Sequence, residues 1–466
     1  MAHIEEAANV VRIGARRRTL RDTIAVVAIV FVACEGFLGR PGARDASETV
    51  VDADTDDAQA PDSMPDTDGD GDTDIDTDTD IDTDTDTDAD RDEDPDIDTG
   101  ICPPLAPPSG PVVNVSDAWS LQDAVNGASP GDVIMVAAGT YDIDGTLNIG
   151  ETDVTIRGAT GDPEDVVIDC QDSVAEGVAV RTDGATIADL TIRNCTDHAI
   201  HVASPPGAAC DDLLVYNVRL LDTSVAQVLK VSTYWDGSMA RNGEVACSTI
   251  GYSSSVPGDY TNGMSIHSSV GWRIHDNVVM NVRGDGGMIG PAILVWSASE
   301  DTVIERNVIL NCRRGIALGN ASSDHPYDVQ HSGGVVRNNF IVNTGYAESG
   351  IELQLARDFV VAYNTIALLG DGGAPSIDVY GGTTRGRIEY NITTSYIQER
   401  GGGSASQVGN VIDAQRSWFT DPDRGDLHLT GSATGAIGRG SRITEVPTDI
   451  DDEARGATTD VGADQR

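Results

Sequence analysis

Side chains suited to acid–base chemistry recur at one position of a repeated sequence pattern. Lys230, the only lysine of the 466-residue chain, and His201 each stand between two apolar residues, and His267 follows a further copy of the pattern. A lysine or a histidine can take the proton beside a sugar carboxylate, and Arg181 can bind such a carboxylate through two parallel hydrogen bonds. These four residues predict a lyase-like centre. The alternative is a row of solvated polar side chains without a catalytic role.

Two acidic residues occupy the same position of the pattern further along the chain. Glu352 and Asp378 stand in successive copies. Neighbouring carboxyl groups can serve as the acid and the base of glycoside hydrolysis, and they can instead hold Ca²⁺. A third interpretation is an exposed acidic face on an acidic protein, and the sequence leaves all three open.

Aromatic and polar residues close to these positions are suited to binding a sugar. Trp296 and Tyr380 can stack on a sugar ring, and Ser265 and Gln354 carry hydrogen-bonding groups. We therefore expect these four residues to contact a polysaccharide, whether or not the protein is an enzyme.

Short strands must position these side chains. An apolar-x-apolar segment is typical of a strand with one buried face, so its middle residue should point outwards, as should the residues two before and two after it. The residues two before the middle are almost all small, which predicts a shallow groove for an extended polymer. The nine segments begin at Leu147, Val178, Ile200, Leu229, Met264, Ile293, Ile316, Ile351 and Ile377.

A second pattern, Ile/Val-x-x-Asn-x-Ile/Val, precedes the later copies of the first one. Its Asn, or Ser248 in its place, recurs from Asn217 to Asn391 in steps of 31, 29, 30, 32, 25 and 27 residues. A repeat of this length with two or three short strands is one coil of a solenoid. We therefore predict an all-β chain, a right-handed parallel β-helix of about nine or more coils, with a structural ladder of stacked Asn side chains.

The charge of the chain is concentrated in one tract. The formal net charge is −46, and 22 Asp residues with Glu93 lie between Asp52 and Asp98. Such a chain lacks the clustered positive charge that nucleic acid requires. We predict a disordered linker over residues 35–110. Asp66, Asp68 and Asp70 match the start of an EF-hand loop, but Thr77 stands where its Glu is needed, so only weak Ca²⁺ binding is expected.

The N-terminus has the features of an export signal. A basic region at Arg16–Arg18 precedes the apolar segment Thr23–Val32, which is too short to span a membrane. Ala33-Cys34 follows at once, which predicts a signal over residues 1–34 and lipid attachment at Cys34. The alternative is an ordinary signal with an incidental cysteine. We expect an outer-membrane or cell-surface lipoprotein that contacts the membrane only through its lipid, or otherwise a secreted or periplasmic protein.

Both ends of the repeat region need covers, because open sheet edges would pair with other chains. Ser116–Ala128 predicts a capping helix, and Phe419–Ile437 a closing segment. Export makes disulfides expected. Cys170 and Cys195 could meet at stacked turns, and Cys210 and Cys247 could link neighbouring coils, with other pairings left open.

Two stretches resemble known proteins. Ser120–Tyr141 (SLQDAVNGASPGDVIMVAAGTY) resembles the start of pectate-lyase-like β-helix proteins, and Trp418–Asp464 is similar to the closing segment of secreted bacterial β-helix proteins. The resemblance covers residues 111–466 and implies the fold. It does not imply one activity, because such proteins include lyases, hydrolases, esterases, epimerases and non-catalytic surface proteins.

Two functions therefore stand side by side. The first is a monomer that binds an acidic polysaccharide and cleaves or epimerises it. The second is a non-catalytic surface or adhesion protein that binds glycan or a cell envelope. A groove that is positive around Lys230 would favour the first.

Overall fold

The computed structural model describes residues 102–466 apart from 209, 234–237, 259, 287, 322–326 and 371. The predicted signal, the lipid site at Cys34, the Ca²⁺ candidates Asp66, Asp68 and Asp70, and most of the predicted linker lie outside the described residues. Within the described residues, no helix has the length and apolar character needed to cross a membrane.

Ten parallel strands stack in chain order into one sheet, called the ten-strand sheet below. Each strand pairs with the strand of the coil before it and the coil after it, which is the arrangement of a parallel solenoid. The nine predicted strands are confirmed, and Ile397–Arg400 adds a tenth that the sequence patterns do not predict. The strands are Leu147–Ile149, Glu176–Val180, His198–Ala203, Leu229–Ser232, Met264–His267, Pro291–Trp296, Arg314–Leu318, Ser349–Gln354, Ile377–Tyr380 and Ile397–Arg400.

The remaining faces of the coils form one 24-stranded sheet that wraps around the solenoid. Its first row is Val112–Val115, Val133–Val136, Thr155–Gly158, Thr186–Arg193, Leu214–Leu221, Glu244–Ala246, Arg273–His275, Val303–Glu305, Val335–Arg337, Ala356–Ala362, Arg385–Glu389 and Ser404–Val408. Its second row, joined by the two long strands at Thr186 and Leu214, adds Gly139–Asp142, Val166–Asp169, Thr249–Gly251, Val278–Met280, Val308–Leu310, Phe340–Asn343, Thr365–Leu368 and Ile392–Thr393. Four two-residue strands complete it: Ala240–Arg241, Ser269–Val270, Ser299–Glu300 and His331–Ser332.

A buried ladder of Asn side chains runs between these two rows, as predicted. Each amide donates to the side-chain oxygen of the next Asn: Asn277 to Asn307 at 2.9 Å, Asn307 to Asn339 at 3.0 Å, and Asn339 to Asn364 at 2.9 Å. The ladder continues through Asn391 to Asn410, each step 3.0 Å.

Asn217 is not part of this ladder, contrary to the sequence pattern. Val215 pairs with Val245, so the ladder position of that coil is Val218, whose backbone N–H donates to Ser248 Oγ at 3.1 Å. The Asn217 side chain instead donates to Asp189 Oδ1 at 2.7 Å.

The N-terminal end of the solenoid is covered by the predicted helix, which spans Ala118–Asn126. Asp117 accepts the Ser120 N–H at 2.9 Å, and the Ser120 hydroxyl accepts the Asp117 N–H at 3.2 Å, so the first turn is capped. Leu121 and Val125 place the apolar face of the helix in the solenoid core.

The C-terminal segment covers the side of the solenoid, not its end. The hairpin Phe419–Asp421 with Asp426–Leu429 begins this segment, and the paired strands Gly440–Ser441 and Thr458–Thr459 follow. Its apolar residues pack on outward side chains of the second row, among them Leu221, Met280 and Phe340. The predicted closing segment is thus present, and its position differs because the second row carries an exterior apolar stripe that requires a cover.

Two disulfides join described residues that are 145 and 25 positions apart in the sequence. Cys170 bonds to Cys195, as considered from the sequence, whereas Cys247 bonds to Cys102 and not to Cys210. The backbone after Cys102 lies on the solenoid surface, where Pro103 O accepts the Tyr216 hydroxyl at 2.6 Å. Residues 102–110, which the composition assigns to the linker, therefore make specific contacts with the coils.

Candidate functional site

The outward face of the ten-strand sheet carries the candidate site. The register places His201 beside Lys230 and Lys230 beside Ser265 on consecutive coils, and it places Glu352 beside Asp378. These pairs are the ones that the apolar-x-apolar alignment predicts, because the two flanking apolar residues are anchored in the core.

The column of small residues does not form a groove floor, which corrects the sequence interpretation. Ala199 and Ala292 belong to the buried core, and a Cβ added to Gly350 would lie 2.6 Å from Ile366 Cγ2. The strand bends just before its first apolar residue: the N–H groups of Ala199 and Ile200 both point to Val228 O. Because of this bend, the residue two before the middle faces inwards, and small side chains are needed at a tight corner.

The residue three before the middle takes the outward position instead. This column contains Glu176, His198 and Arg314, which the sequence analysis missed as site residues. A detectable signal was present, because the column is mostly polar, with Gln227, Asn262 and Ser349 as further members. Counting by strict alternation across the bend assigned the outward face to the wrong residues.

Lys230, Ser265 and His267 form one hydrogen-bonded cluster. Lys230 Nζ lies 2.7 Å from His267 Nε2 and 3.4 Å from Ser265 Oγ, and Ser265 Oγ lies 3.3 Å from His267 Nε2. The His267 ring meets the Trp296 ring edge-on, with centroids 4.6 Å apart. Since a hydrogen bond between two nitrogens holds one proton, the Lys230–His267 pair combines an N–H donor with a nitrogen lone pair.

His201 and Arg181 belong to a second cluster built around Glu176. His201 Nδ1 is hydrogen-bonded to Glu176 Oε1, and its Nε2 lies 3.2 Å from Ser232 Oγ. Arg181 Nη2 lies 3.3 Å from Glu176 Oε2. Burial alone would raise the pKa of Glu176, but the hydrogen bond from His201 and the charges of His201 and Arg181 outweigh it and lower that pKa. Among the predicted catalytic residues, the structure therefore joins Lys230 with His267, and His201 with Arg181.

His198 packs beside this second cluster and stays neutral. Its ring centroid lies 4.8 Å from that of His201, and its Nδ1 lies 2.6 Å from Gln227 O. Burial, followed by the charge of His201, lowers the pKa of His198 to about 3. A neutral ring here limits the positive charge around His201.

Glu352 and Asp378 are each held by an arginine. Arg314 bonds both carboxylate oxygens of Glu352, with Nε at 2.7 Å from Oε1. Arg400 Nη2 lies 2.7 Å from Asp378 Oδ2, and its guanidinium stacks over the Tyr380 ring at 4.3 Å. The hydrolase assignment stays a prediction, but two neutralised carboxylates that are only 5% and 4% exposed are poorly placed as an acid, a base or Ca²⁺ ligands.

The predicted sugar-binding residues lie along the same face. Trp296 and Tyr380 are half-buried, so each presents part of its ring to solvent. Gln354 Nε2 donates to Glu352 Oε2 at 2.9 Å. Ser265 is almost fully buried beneath Lys230 and His267, which suits it to positioning these two side chains more than to direct contact with a polymer.

Potential metal ligands converge elsewhere in the described part of the chain, in the C-terminal segment. Ligand atoms of His428, Asp451 and Asp464 lie within 4.8 Å of one another. Hydrogen bonds to Asp426 and Asp451 raise the pKa of His428 to about 10, so this group is also a stable ion-pair cluster. It belongs to the segment that covers the second row, and we assign it no part in the candidate site.

Comparison with known proteins supports the fold. No protein-family model matches the chain, and no curated protein matches its sequence. Pectate lyase Pel9A superposes with a TM-score of 0.52 at 14% identity, covering 77% of this chain and 97% of that one. The A-module of the mannuronan C-5 epimerase AlgE4 from Azotobacter vinelandii has a TM-score of 0.37 at 16% identity, over 63% of this chain and 91% of that one.

An alginate lyase from Paenibacillus sp. str. FPU-7 has a TM-score of 0.35 at 12% identity, over 64% of this chain and 99% of that one. The ten stacked parallel strands and the superposition on the pectate lyase show that the described chain has the fold of that lyase, a right-handed parallel β-helix.

Proposed function

We propose that the ten-strand sheet binds an acidic polysaccharide and processes it by taking the proton beside a uronate carboxylate, which leads to elimination or epimerisation. The observation that carries the proposal is the Lys230–His267 hydrogen bond of 2.7 Å on the outward face of the ten-strand sheet. The lyases and the epimerase among the structural neighbours support this class of substrate.

The Lys230–His267 pair supplies the two groups that such a reaction needs. The nitrogen with the lone pair accepts the proton from the sugar carbon, and the N–H of its partner donates to the carboxylate, whose negative charge grows in the transition state. Ser265 beneath the pair restricts the rotation of both side chains. In elimination the electron pair left on the carbon forms the double bond as the bond to the glycosidic oxygen breaks, and that oxygen takes a proton from water. In epimerisation a proton from water adds to the opposite face of the same carbon.

Arg181 serves a neighbouring sugar in this proposal. It stands two coils before Lys230, which corresponds to about 10 Å, and this distance exceeds the separation between a carboxylate and its adjacent proton. Its side chain is 36% exposed and lies against Glu176. We therefore assign Arg181 to binding the carboxylate of a different residue of the polymer, which fixes the register of the chain on the sheet.

The proposal places the protein outside the cytoplasm, tethered through a lipid at Cys34. The disulfide between Cys170 and Cys195 supports an oxidising compartment. A lipid on Cys34 and an acidic linker would hold the ten-strand sheet away from the membrane, where an extended polymer can reach it. Mass spectrometry of the natural protein, with Cys34→Ser as the comparison, tests the lipid separately from the chemistry.

The full chain should be mixed with a panel of uronate polymers, with and without Ca²⁺. Ultraviolet absorbance reports the double bond formed by elimination, and deuterium incorporation in D₂O reports epimerisation. Lys230→Ala should lower either signal by about 100-fold or more, while Asn148→Ala, in the same column on the first coil, should retain it. Binding without either signal would refute the catalytic proposal and favour the non-catalytic glycan-binding alternative.

A further inference from the structure

A carboxylate, an imidazole and a hydroxyl are connected in series across three coils of the ten-strand sheet. Glu176 bonds to His201 Nδ1, and His201 Nε2 lies 3.2 Å from Ser232 Oγ. This is the connectivity by which an acid orients a histidine that activates a serine. We propose that Glu176, His201 and Ser232 form a nucleophilic triad that hydrolyses O-acyl esters.

The solenoid holds the three residues on rigid elements. Glu176 opens the strand of the second coil, His201 is the middle residue of the third, and Ser232 ends the strand of the fourth. The register pairs Ser232 with Ala203 and Lys230 with His201, so the three side chains lie on a diagonal across the sheet. The small side chain of Ala203 leaves the His201 ring room to reach the hydroxyl. Sites built on strands keep their geometry better than sites built on loops.

The charges around His201 match the roles that the proposal requires. Arg181 at 3.3 Å binds the second oxygen of Glu176, so the carboxylate is held in one orientation. The Glu176 side chain is 21% exposed and that of His201 17%, which leaves access from the outward face of the ten-strand sheet while restricting water. An ionised Glu176 stabilises the imidazolium that forms when His201 takes the serine proton.

A cationic group stands next to the nucleophile. Lys230 precedes Ser232 by two residues, so both side chains leave the same face of the strand. Its Nζ bonds to His267 on the next coil, on the side of Ser232 away from His201. An oxyanion formed at Ser232 would therefore lie between the triad histidine and the Lys230–His267 pair, which can stabilise its charge.

The reaction balances without a cofactor. Ser232 Oγ attacks the ester carbonyl carbon, and its proton passes to His201 Nε2. The tetrahedral intermediate expels the alcohol oxygen, which takes that proton and leaves an acyl-Ser232. Water then attacks the acyl carbon as His201 takes its proton. His201 gives that proton to Ser232 Oγ as the bond to the acyl carbon breaks, which releases the carboxylic acid and free Ser232. That the alcohol is a sugar hydroxyl rests on the proposed function, since the triad lies on the same face of the ten-strand sheet. An acetylated polysaccharide is the substrate class that fits.

Two small probes test the triad without any polysaccharide. The full chain is incubated with p-nitrophenyl acetate, and release of p-nitrophenol is followed. In parallel, a fluorophosphonate is added and the labelled residue is identified by peptide mass spectrometry. We expect turnover with labelling at Ser232, and Ser232→Ala should abolish the labelling and lower turnover by about 100-fold or more.

Matched variants test whether Ser232 reacts because the triad activates it or only because it is exposed. Ser253 is an exposed serine whose hydroxyl contacts Asp222 and no histidine, so Ser253→Ala should behave like the natural protein. Glu176→Gln should lower both turnover and the rate of labelling, because His201 loses the group that orients it. Circular dichroism confirms that each variant is folded.

The outcomes are distinct from those of the uronate assays. A folded protein whose Ser232 is not labelled, or whose turnover is unchanged in Ser232→Ala, would overturn the triad even if elimination by Lys230 is observed. Turnover of p-nitrophenyl acetate with labelling at Ser232, in a protein inactive on every uronate polymer, would support the triad and reject the proposed function. Acetate release from acetylated polysaccharides then identifies the natural ester.

Discussion

The Asn ladder provides the most quantitative prediction, and Asn339 stands in its middle. Its amide donates to Ile304 O at 3.0 Å and to Asn364 Oδ1 at 2.9 Å. Its own Oδ1 accepts the backbone N–H and the side-chain amide of Asn307, both at 3.0 Å. The side chain is fully buried, so water cannot replace these partners. The amide also lies 3.0 Å from Arg337 O, so Asn339→Ala breaks contacts to four residues at once.

The expected loss of stability follows from these bonds. A buried hydrogen bond contributes about 0.5–1.5 kcal/mol net, so the four bonds with Asn307, Ile304 and Asn364 alone amount to about 2–6 kcal/mol. Asn148→Ala is the matched control, because Asn148 lies outside the ladder, is exposed, and its amide donates to Thr146 O at 3.0 Å at the surface. It should cost about 1 kcal/mol or less.

Urea denaturation followed by circular dichroism measures both variants. The urea concentration at the unfolding midpoint should fall for Asn339→Ala. The dependence of the unfolding free energy on urea concentration should not change, since it reports the surface exposed on unfolding. Equal stability losses for the two variants, or a loss below about 1 kcal/mol for Asn339→Ala, would show that the ladder is not a major source of stability and would refute the reasoning.

Three further predictions concern the corner, the disulfides and the site. Gly350→Ala should cost about 1–3 kcal/mol by overpacking, because the added Cβ would meet Ile366 Cγ2 at 2.6 Å, whereas Gly150→Ala has nothing within 4 Å and should be neutral in the same denaturation assay. An outward-facing Gly350 would instead make both variants neutral. Replacing Cys102 and Cys247 by Ala opens a loop of 145 residues, which should lower stability by up to about 5 kcal/mol in the chain-entropy model. Calorimetry should show a smaller loss when Cys170 and Cys195 are replaced, because their loop is only 25 residues long. A larger loss for the shorter loop would contradict this argument. The lowered pKa of Glu176 stabilises the fold above the ordinary pKa of a glutamate, about 4.3, and this contribution disappears as the pH falls through the lowered value. The stability difference between the natural protein and Glu176→Gln, measured by urea titration, should therefore shrink below pH 4; a difference that does not depend on pH would contradict the assignment.

The sequence was sufficient for nine of the ten strands of the ten-strand sheet and for the residues that face outwards in the centres of those nine strands. Lys230, flanked by Leu229 and Val231, could be aligned with His201 and Ser265 because two buried neighbours fix the orientation of a middle residue. The same logic failed at the coil corner. Side chains alternate between the two faces only along a continuous strand. Beyond the bend before Ile200, a residue that alternation places on the outward face points inwards, and the reverse.

For this reason the sequence predicted only part of the cluster around Glu176. Glu176 lies before the bend, so strict alternation assigned it to the inward face. Ser232 could not be recognised as the partner of His201 without the diagonal contact between coils. Cys102 was assigned to the linker because its neighbours are prolines and acidic residues. Its bond to Cys247 depends on the path of the chain across the coils, which no local pattern encodes.

The C-terminal segment changes how this solenoid should unfold. In a simple repeat protein each coil contacts only its neighbours, and the coils can fray one after another from an open end. Here Arg455 donates to Asn338 Oδ1 at 3.1 Å and to backbone carbonyls of Gly462 and Ala463, both at 2.8 Å. The apolar contacts of the segment extend from Leu221 to Ile392 along the second row.

Coils that are far apart along the solenoid axis are therefore bound to one common segment, so the loss of one coil weakens the attachment of the others. The result is a more cooperative molecule than its repeats alone would give: stepwise fraying is suppressed, and removal of the last fifty or so residues should convert one sharp unfolding transition into several broad ones.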